Sequence, residues 1–452
     1  MSESAKKVLI HTYGCQMNDR DSEAVAMDLK AQGFELTEEE KDADVILFNT
    51  CSVRDQAERK AMGKIGLISR LKRRKPELRI GVLGCMAQSR SDELIEKFDH
   101  VDFVVGTDQL HRVPEMLRQV ESGAGRLVEI GLSRDILERL AAHPAGEISA
   151  QVSIQRGCNE YCTYCIVPFT RGQEKSRPAA SILAEIRGLA DRGVREVTLL
   201  GQNITAYGLL EARRERSFDP SRSPFAELLR AVAAIPGIRR IRFTSPHARY
   251  FNQDLIDTIA AEPKICRGIN FPLQSGSDSI LKLMRRRYTA AEYLGWVRRV
   301  QEKVPEALFC TDLIVGFPGE TEADFEATRK LCEEVGFDQS FIFRYSPRKD
   351  TPAARMSDQV PEEVMERRQQ LLMDDLNRRL ERRNSAMVGS VQEVLVEGPS
   401  KRNPERWSGR STHNKIVIFD PLPGLTAGTL ASIKIERSTL QALYGDCVGF
   451  EA

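Results

Sequence analysis

The chain has 452 residues, 29% of them charged, with a net charge of +1. That length allows roughly two to four domains of ~100–200 residues, and the near-neutral balance excludes a chain-wide electrostatic footprint for nucleic acid, so any basic surface is local. No apolar run approaches the ~20 residues of a membrane span, and Met1-Ser-Glu-Ser-Ala-Lys-Lys7 lacks the apolar core of a signal peptide, so a cytoplasmic protein without membrane contact is expected.

The first 125 or so residues alternate strand and helix patterns. Lys7–Tyr13 reads as a strand, Ser22–Gln32 as a helix, Ala43–Thr50 as a second strand, then a basic helix runs to Arg74. Arg79–Gly84 and Val101–Gly106 are the third and fourth strands. Such a series predicts a doubly wound parallel sheet. Each of the first three strands runs into a cysteine: Cys15 in Gly14-Cys-Gln-Met-Asn18, Cys51 in Asn49-Thr-Cys-Ser52 and Cys85 in Gly84-Cys-Met-Ala87. Ligand sites of open α/β sheets form beyond the carboxyl ends of the strands, so three thiolates delivered there can converge on one metal cluster. Zinc with three ligands and a water would imply a hydrolase or deaminase, and no deaminase glutamate motif accompanies them.

From about residue 150 a longer βα series follows, with strands at Gln151–Gln155, Glu196–Gly201, Ile238–Thr244, Ile269–Leu273, Leu308–Val315 and Gln339–Tyr345. Six βα units predict a closed or nearly closed (β/α)6 barrel with reactive groups at the carboxyl rim. After the first strand comes Arg156-Gly-Cys-Asn-Glu-Tyr-Cys-Thr-Tyr-Cys-Ile166, which holds Cys158, Cys162 and Cys165 as C-x3-C-x2-C. A structural zinc site normally closes with four protein ligands. Three thiolates on one loop suit an iron–sulfur cubane with one iron left open. Polar motifs follow the other strands: Gly201-Gln-Asn203, Ser245-Pro-His247, Gln274-Ser-Gly-Ser-Asp278, Gly316-Phe-Pro-Gly-Glu320 and Ser346-Pro-Arg348, with Asp312 inside the fifth strand. Gly316-Phe-Pro-Gly lacks the lysine of a P-loop, and a lone His247 is more often a structural hydrogen-bonder than a base. Cys266, Cys310, Cys332 and Cys447 read as small buried hydrophobes.

Pro361–Met387 is a long charged helix with an apolar stripe at Met365, Leu371, Leu372, Leu376 and Leu380. Beyond Gly389, short alternating strands (Val391–Glu397, Lys415–Phe419, Leu430–Glu436) predict a small antiparallel β-barrel. Between them, Lys401-Arg-Asn-Pro-Glu-Arg-Trp-Ser-Gly-Arg410 either offers guanidinium and indole planes to unpaired bases or folds Trp407 into the small core. Arg285-Arg-Arg-Tyr288 is placed to touch an anionic ligand.

C-x3-C-x2-C after a first barrel strand resembles the radical S-adenosylmethionine (SAM) superfamily. With Tyr13-Gly-Cys-Gln-Met-Asn18, Cys158-Asn-Glu-Tyr-Cys-Thr-Tyr-Cys-Ile-Val-Pro-Phe-Thr-Arg-Gly172 and Ser176-Arg-Pro178, the chain resembles the methylthiotransferases, in the branch acting on N6-isopentenyladenosine of tRNA. Gln155-Arg-Gly157 departs from relatives that carry an acidic residue there. The resemblance implies an N-terminal domain at 6–124, a radical SAM barrel at 144–380 and a TRAM RNA-binding barrel at 383–448. It implies two [4Fe–4S] clusters, one on Cys158, Cys162 and Cys165 binding SAM at its open iron, and an auxiliary one on Cys15, Cys51 and Cys85 as sulfur source. One SAM would give a methyl group and a second a 5′-deoxyadenosyl radical that activates C2 of the adenine. No catalytic residue is assigned beyond the cluster ligands; Gly201, Gln202, Asn203, Ser245, Gln274 and Arg287 are expected to contact SAM. The implied partners are a tRNA anticodon stem-loop carrying isopentenyladenosine, a flavodoxin- or ferredoxin-like electron donor and iron–sulfur delivery proteins, acting on a monomer. The rival readings are a methylthiotransferase for threonylcarbamoyl-adenosine or a ribosomal-protein aspartate, a two-cluster redox protein, which would normally use four cysteines per cluster, and a non-catalytic RNA-binding protein with structural metal.

Overall fold

A computed structural model describes residues 5–133 and 146–451. The N-terminal unit is a six-stranded, wholly parallel sheet of β1 (Lys7–Tyr13), β2 (Glu35–Leu36), β3 (Val45–Thr50), β4 (Arg79–Gly84), β5 (Phe103–Val105) and β6 (Leu127–Glu129), in the order β2-β1-β3-β4-β5-β6. The sheet is doubly wound, and its strand contents show why. Leu9, Ile46, Phe48, Ile80, Val82 and Val104 face Ala61, Ile65 and Ile68 of the helix Asp55–Arg74. Val8, Val45, Leu47, Phe103 and Val105 face Val25 and Leu29 on the opposite side. Strands buried on both faces are nearly continuous apolar runs, which made four of them legible. The edge strands β2 and β6 are too short to carry a period. Helix α1 (Gln16–Lys30) starts six residues before the expected Ser22, because the Cys15 carbonyl already accepts from the Asn18 and Asp19 amides at 2.7 and 3.2 Å.

The central unit begins with β7 (Ser149–Ser153) and a short antiparallel hairpin of β8 (Gln155–Arg156) and β9 (Lys175–Ser176). The expected start at residue 144 lies outside the described residues. Then come β10 (Glu196–Leu200), β11 (Arg240–Phe243), β12 (Gly268–Asn270), β13 (Leu308–Val315) and β14 (Gln339–Arg344). The parallel sheets β7-β10-β11 and β12-β13-β14 join through the parallel bridge Ile241–Ile265, giving a six-stranded partial barrel whose edges are β7 and β14. Along β13, Phe309, Leu313 and Val315 pack outward with Phe325 and Leu331 of the helix Glu322–Val335. Strand alternation therefore turns Cys310, Asp312 and Ile314 toward the barrel interior. Cys266, Cys332 and Cys447 are buried, whereas Cys310 is half-buried on that inner face.

The helix Glu362–Ala386 leads into a closed five-stranded barrel of β15 (Val391–Pro399), β16 (Trp407–Ser411), β17 (Ile416–Asp420), β18 (Leu430–Ser438) and β19 (Ala442–Phe450). Its pairs are antiparallel except β17 with β19, which close the barrel in parallel. Trp407 opens a strand and is half-buried against the core of Val394, Val417, Phe419 and Leu443. The small barrel docks on the central one through Lys415, whose ammonium donates to Asp338 at 2.9 Å and to Asn384 at 2.8 Å.

Candidate iron–sulfur and substrate site

Cys15, Cys51 and Cys85 stand at the carboxyl ends of β1, β3 and β4. The strand order reverses between β1 and β3, and such switch points are where open α/β sheets hold ligands. Asn18 and Asn49 lock this edge. The Asn18 amide donates to Asn49 Oδ1 at 3.0 Å and the Thr50 carbonyl at 3.2 Å, and the Asn49 amide returns a bond to the Asn18 carbonyl at 2.8 Å. Cys15 reaches the same Asn18 Oδ1 through its backbone N–H and its thiol, each at 3.4 Å. Two glycines let the loops close up. A Cβ on Gly14 would sit 2.8 Å from Cys51 Cβ, and one on Gly84, at φ +92°, 2.4 Å from Asn49 Oδ1.

A hydrogen bond shared with Cys51 lowers the Cys15 thiol to about 5, and the same bond, followed by burial, raises Cys51. Burial raises Cys85, opposed by the Arg171 guanidinium. Arg171 is buried and lies 3.0 Å from the equally buried Asp21 carboxylate. It belongs to the segment that follows Cys165, so the second cysteine loop supplies a cation to the first trio.

Cys158, Cys162 and Cys165 follow β8 on one loop. The Cys158 amide donates to the Gly172 carbonyl at 3.2 Å and the Gly157 amide to Gln202 Oε1 at 2.6 Å. Burial raises Cys158, helped by Cys165, and pushes Cys165 up to about 12. Arg286, also buried, donates to Cys162 Sγ at 3.7 Å. Each trio thus has one buried guanidinium beside it.

The other anticipated residues fall on the same rim. Gly201 is buried against Gln155, and the Asn203 amide donates to Gln155 Oε1 at 3.2 Å, while Asn203 Nδ2 is buried without a hydrogen-bond partner. Ser245 and Gln274 are left-handed, at φ +57° and +71°, and the Gln274 backbone bridges to β13 by donating to the Asp312 carbonyl at 2.8 Å. Ser245 and Arg287 are exposed. Of the three arginines in the run 285–288, it is Arg286 that points inward. His247 is buried, and burial followed by Arg286, Arg249 and Arg287 lowers its pKa and keeps it neutral; its Nδ1 accepts from the Arg249 amide at 3.4 Å. The Gly316 amide donates to Glu320 Oε1 at 3.1 Å, and Arg368 holds that carboxylate at 2.6 Å, which closes this loop internally.

The domains meet along one polar seam. Asp21 pairs with both Arg156 and Arg171, Arg20 with Glu185 at 2.5 Å, and Asp108 with Lys175 at 2.8 Å. The donor sets are sulfur only. Among the described residues no three His, Cys, Asp or Glu side chains close around a single metal ion. Structural zinc normally closes with four protein ligands, whereas three thiolates leave one iron of a cubane open, so these sulfur-only trios suit a cluster better than zinc. A thiolate-ligated cluster is anionic, and the buried guanidinium beside each trio matches that charge. The residues fit two clusters.

Three family descriptions match the chain: Uncharacterized protein family UPF0004 at residues 7–106, Radical SAM superfamily at 152–332 and TRAM domain at 385–448. The chain is 48% identical over 455 residues to the tRNA-2-methylthio-N(6)-dimethylallyladenosine synthase of Akkermansia muciniphila, covering 97% of this chain and 98% of that one. It is 45% identical over 471 residues to the enzyme of the same name from Opitutus terrae, covering 97% of each. Among solved structures, the radical SAM methyltransferase TsrM of Kitasatospora setae, with tryptophan and a SAM analogue, aligns with a TM-score of 0.56 at 16% identity, covering 77% of this chain and 75% of that one. That likeness concerns the fold alone.

Proposed function

We propose, from the premise that this chain belongs to the tRNA-2-methylthio-N(6)-dimethylallyladenosine synthases, radical SAM enzymes that transfer a methylthio group, that its substrate is N6-isopentenyladenosine beside the anticodon and its target atom is C2. The observation that carries this reading is the pair of sulfur-only trios, each part buried and part half-buried, on two adjoining domains. When bound, two [4Fe–4S] clusters and two molecules of SAM per turnover would supply the one-electron, methyl and sulfur chemistry that no side-chain acid or base can perform on an aromatic C–H bond.

The chain's own residues bind and orient. Cys15, Cys51 and Cys85 would hold the auxiliary cluster, on an edge stiffened by Asn18 and Asn49. Cys158, Cys162 and Cys165 would hold the SAM-binding cluster, on a loop pinned by Gln202. Gly201, Gln202, Asn203, Ser245, Gln274 and Arg287 form the rim offered to SAM, and the unpartnered side-chain Nδ2 of Asn203 is a free donor there. Arg171 and Arg286 offset cluster charge where water is excluded. The units 6–124, 144–380 and 383–448 would act as sulfur-donor, radical and RNA-holding domains. Anticodon loops can splay a base out of the stack, and a cytoplasmic monomer served by a flavodoxin- or ferredoxin-like reductant and iron–sulfur delivery proteins completes the reading.

Mass spectrometry of tRNA nucleosides from cells with and without this gene tests it. Loss of 2-methylthio-N6-isopentenyladenosine on deletion is expected. Unchanged levels overturn the substrate assignment.

A further inference from the structure

The inner face of β13 and β14 carries side chains that the cysteines and the SAM rim do not use. Asp312 faces the interior, and in register beside it on β14 stands Phe341, with Phe343 beside Ile314. Paired residues of adjacent strands share a face about 4.8 Å apart. Phe341 is 51% exposed and Phe343 37%. Two bare aromatic rings on the inner wall of a barrel, at its open edge, form a surface suited to an apolar ligand.

Two arginines locate Asp312. Burial raises its carboxyl to about 6, while the charges of Arg54 and Arg286 pull it back. Arg286 donates to Cys162 Sγ, and Arg54 stands three residues past Cys51. The carboxylate is therefore within reach of two charges, one beside Cys162 and one three residues past Cys51. Asn270, on the neighbouring β12, hydrogen-bonds Asp312, and its own Oδ1 is buried without a partner. The wall thus offers spare acceptors beside exposed rings.

We propose that Asp312, Asn270, Phe341 and Phe343 form the pocket for the splayed-out adenine, with Asp312 accepting the N6–H and the two phenylalanines covering the alkyl branch. This rests on the functional reading above and assigns its specificity. An N6-alkyl adenine carries one N–H donor next to an apolar chain; the wall carries an acceptor next to apolar rings, within the span of a five-carbon branch. An unalkylated adenine leaves both rings bare. Pinning the base at N6 leaves C2, two ring positions away, free of contacts to this wall.

The test measures binding of anticodon stem-loop RNA to the anaerobically reconstituted protein without reductant, so that no turnover occurs. Three RNAs are compared: one with N6-isopentenyladenosine, one with adenosine, and one in which an ether oxygen replaces the N6–H of the alkylated base. Wild type is expected to prefer the alkylated RNA over the adenosine RNA by roughly tenfold or more, the usual reach of an apolar pocket. F341A/F343A should erase that preference without changing affinity for the adenosine RNA, and the milder F341L/F343L should reduce it. D312A should bind the N6–H and ether RNAs equally, where wild type favours N6–H. Equal iron content establishes that each variant is folded, and for the two phenylalanine variants unchanged adenosine-RNA affinity does so as well. Variants that keep the full wild-type preferences overturn the pocket. A wild type that methylthiolates tRNA in cells but shows no preference between these RNAs also overturns the pocket alone, whereas absence of the modified nucleoside in cells overturns the functional reading itself.

Discussion

Asp21 and Arg171 meet 3.0 Å apart across the seam between the N-terminal sheet and the barrel, both buried. Asp21 sits on the helix that Cys15 begins, and Arg171 follows the loop of Cys158, Cys162 and Cys165, so this one pair ties the two trios together. Asp21 also holds Arg156. Asp21→Asn would take the shared anion from the buried Arg171 and the half-buried Arg156, and breaking a buried pair costs about 3–5 kcal/mol. Denaturant unfolding of Asp21→Asn, Arg171→Met and the double variant should show the double costing clearly less than the sum of the singles. Full additivity would show that the pair is not coupled.

Removing one trio should leave the other intact. Each set is carried by separate elements, β1, β3 and β4 for one and a single loop for the other. Replacing Cys158, Cys162 and Cys165 with Ala is expected to halve the iron and acid-labile sulfide of anaerobically reconstituted protein, and replacing Cys15, Cys51 and Cys85 to remove the other half. Loss of all iron from either triple variant would mean that the sites assemble only together.

The cysteines were legible because each stands where a strand pattern ends, and that position alone sends its thiol to the ligand-bearing edge. The arginines were not. Arg286 turns inward because Arg285 and Arg287 on either side adopt left-handed backbone, φ +58° and +57°, a conformation that arginine gives no sequence signal for. The pairing of Asp312 with Phe341 depends on the register of two strands separated by a whole helix, and the Arg171–Asp21 contact on two domains docking. Trp407 stayed open for a related reason: its own strand β16 is five residues long and contains a glycine, so its alternation is weak, and its partners Pro399 of β15 and Phe419 of β17 are set by register.

Acid should loosen the rim loop 274–279. Asp324 caps its own helix by accepting from the Thr321 amide at 2.9 Å, and also accepts from Ser277 and Ser279 of that loop at 2.5 and 2.6 Å. Partial burial works against the charge, but the Ser277, Ser279 and Thr321 hydroxyls outweigh it and bring the carboxyl down to about 2. A carboxylate with a depressed folded pKa stabilises the fold above its unfolded value of ~3.9 and loses that contribution as pH falls toward 2. The group is only partly buried, so the contribution is discounted to about 1 kcal/mol. Asp324→Asn is expected to lose about that much at pH 7 and to show a flatter stability profile between pH 4 and 2. An identical profile in both proteins would remove Asp324 as the source.

RNA affinity should depend on salt through few contacts. Lys401 and Arg402 are exposed at the turn before β16, and the Arg437 guanidinium lies 3.8 Å over the Tyr444 ring of the same barrel. If Lys401 and Arg402 each neutralise a phosphate of a single-stranded loop, Lys401→Ala/Arg402→Ala should flatten the plot of log affinity against log salt by about 1.4, from ~0.7 per contact. An unchanged slope would place the RNA elsewhere on the chain.

Arg286 gives a prediction whose sign differs between the cluster-free and loaded protein. Its guanidinium bonds Tyr288 Oη at 2.9 Å, the Pro272 carbonyl at 3.2 Å and Cys162 Sγ, and stacks 5.2 Å over the Tyr288 ring. Its direct hydrogen-bond partners are a phenol, a carbonyl and a proposed cluster ligand, and the carboxylate that feels its charge, Asp312, does not bond it. In cluster-free protein the buried charge therefore carries a desolvation cost with weak compensation, and Arg286→Met, which keeps the apolar stem, should unfold at the same temperature as wild type or higher. In loaded protein the same change removes the cation beside an anionic cluster, so iron bound by Cys158, Cys162 and Cys165 should be lost to a chelator several-fold faster. Measuring both on the Cys15/Cys51/Cys85→Ala background isolates this one site. A lower melting temperature of the cluster-free Arg286→Met protein would assign Arg286 to holding the Pro272–Tyr288 turn, not to balancing cluster charge.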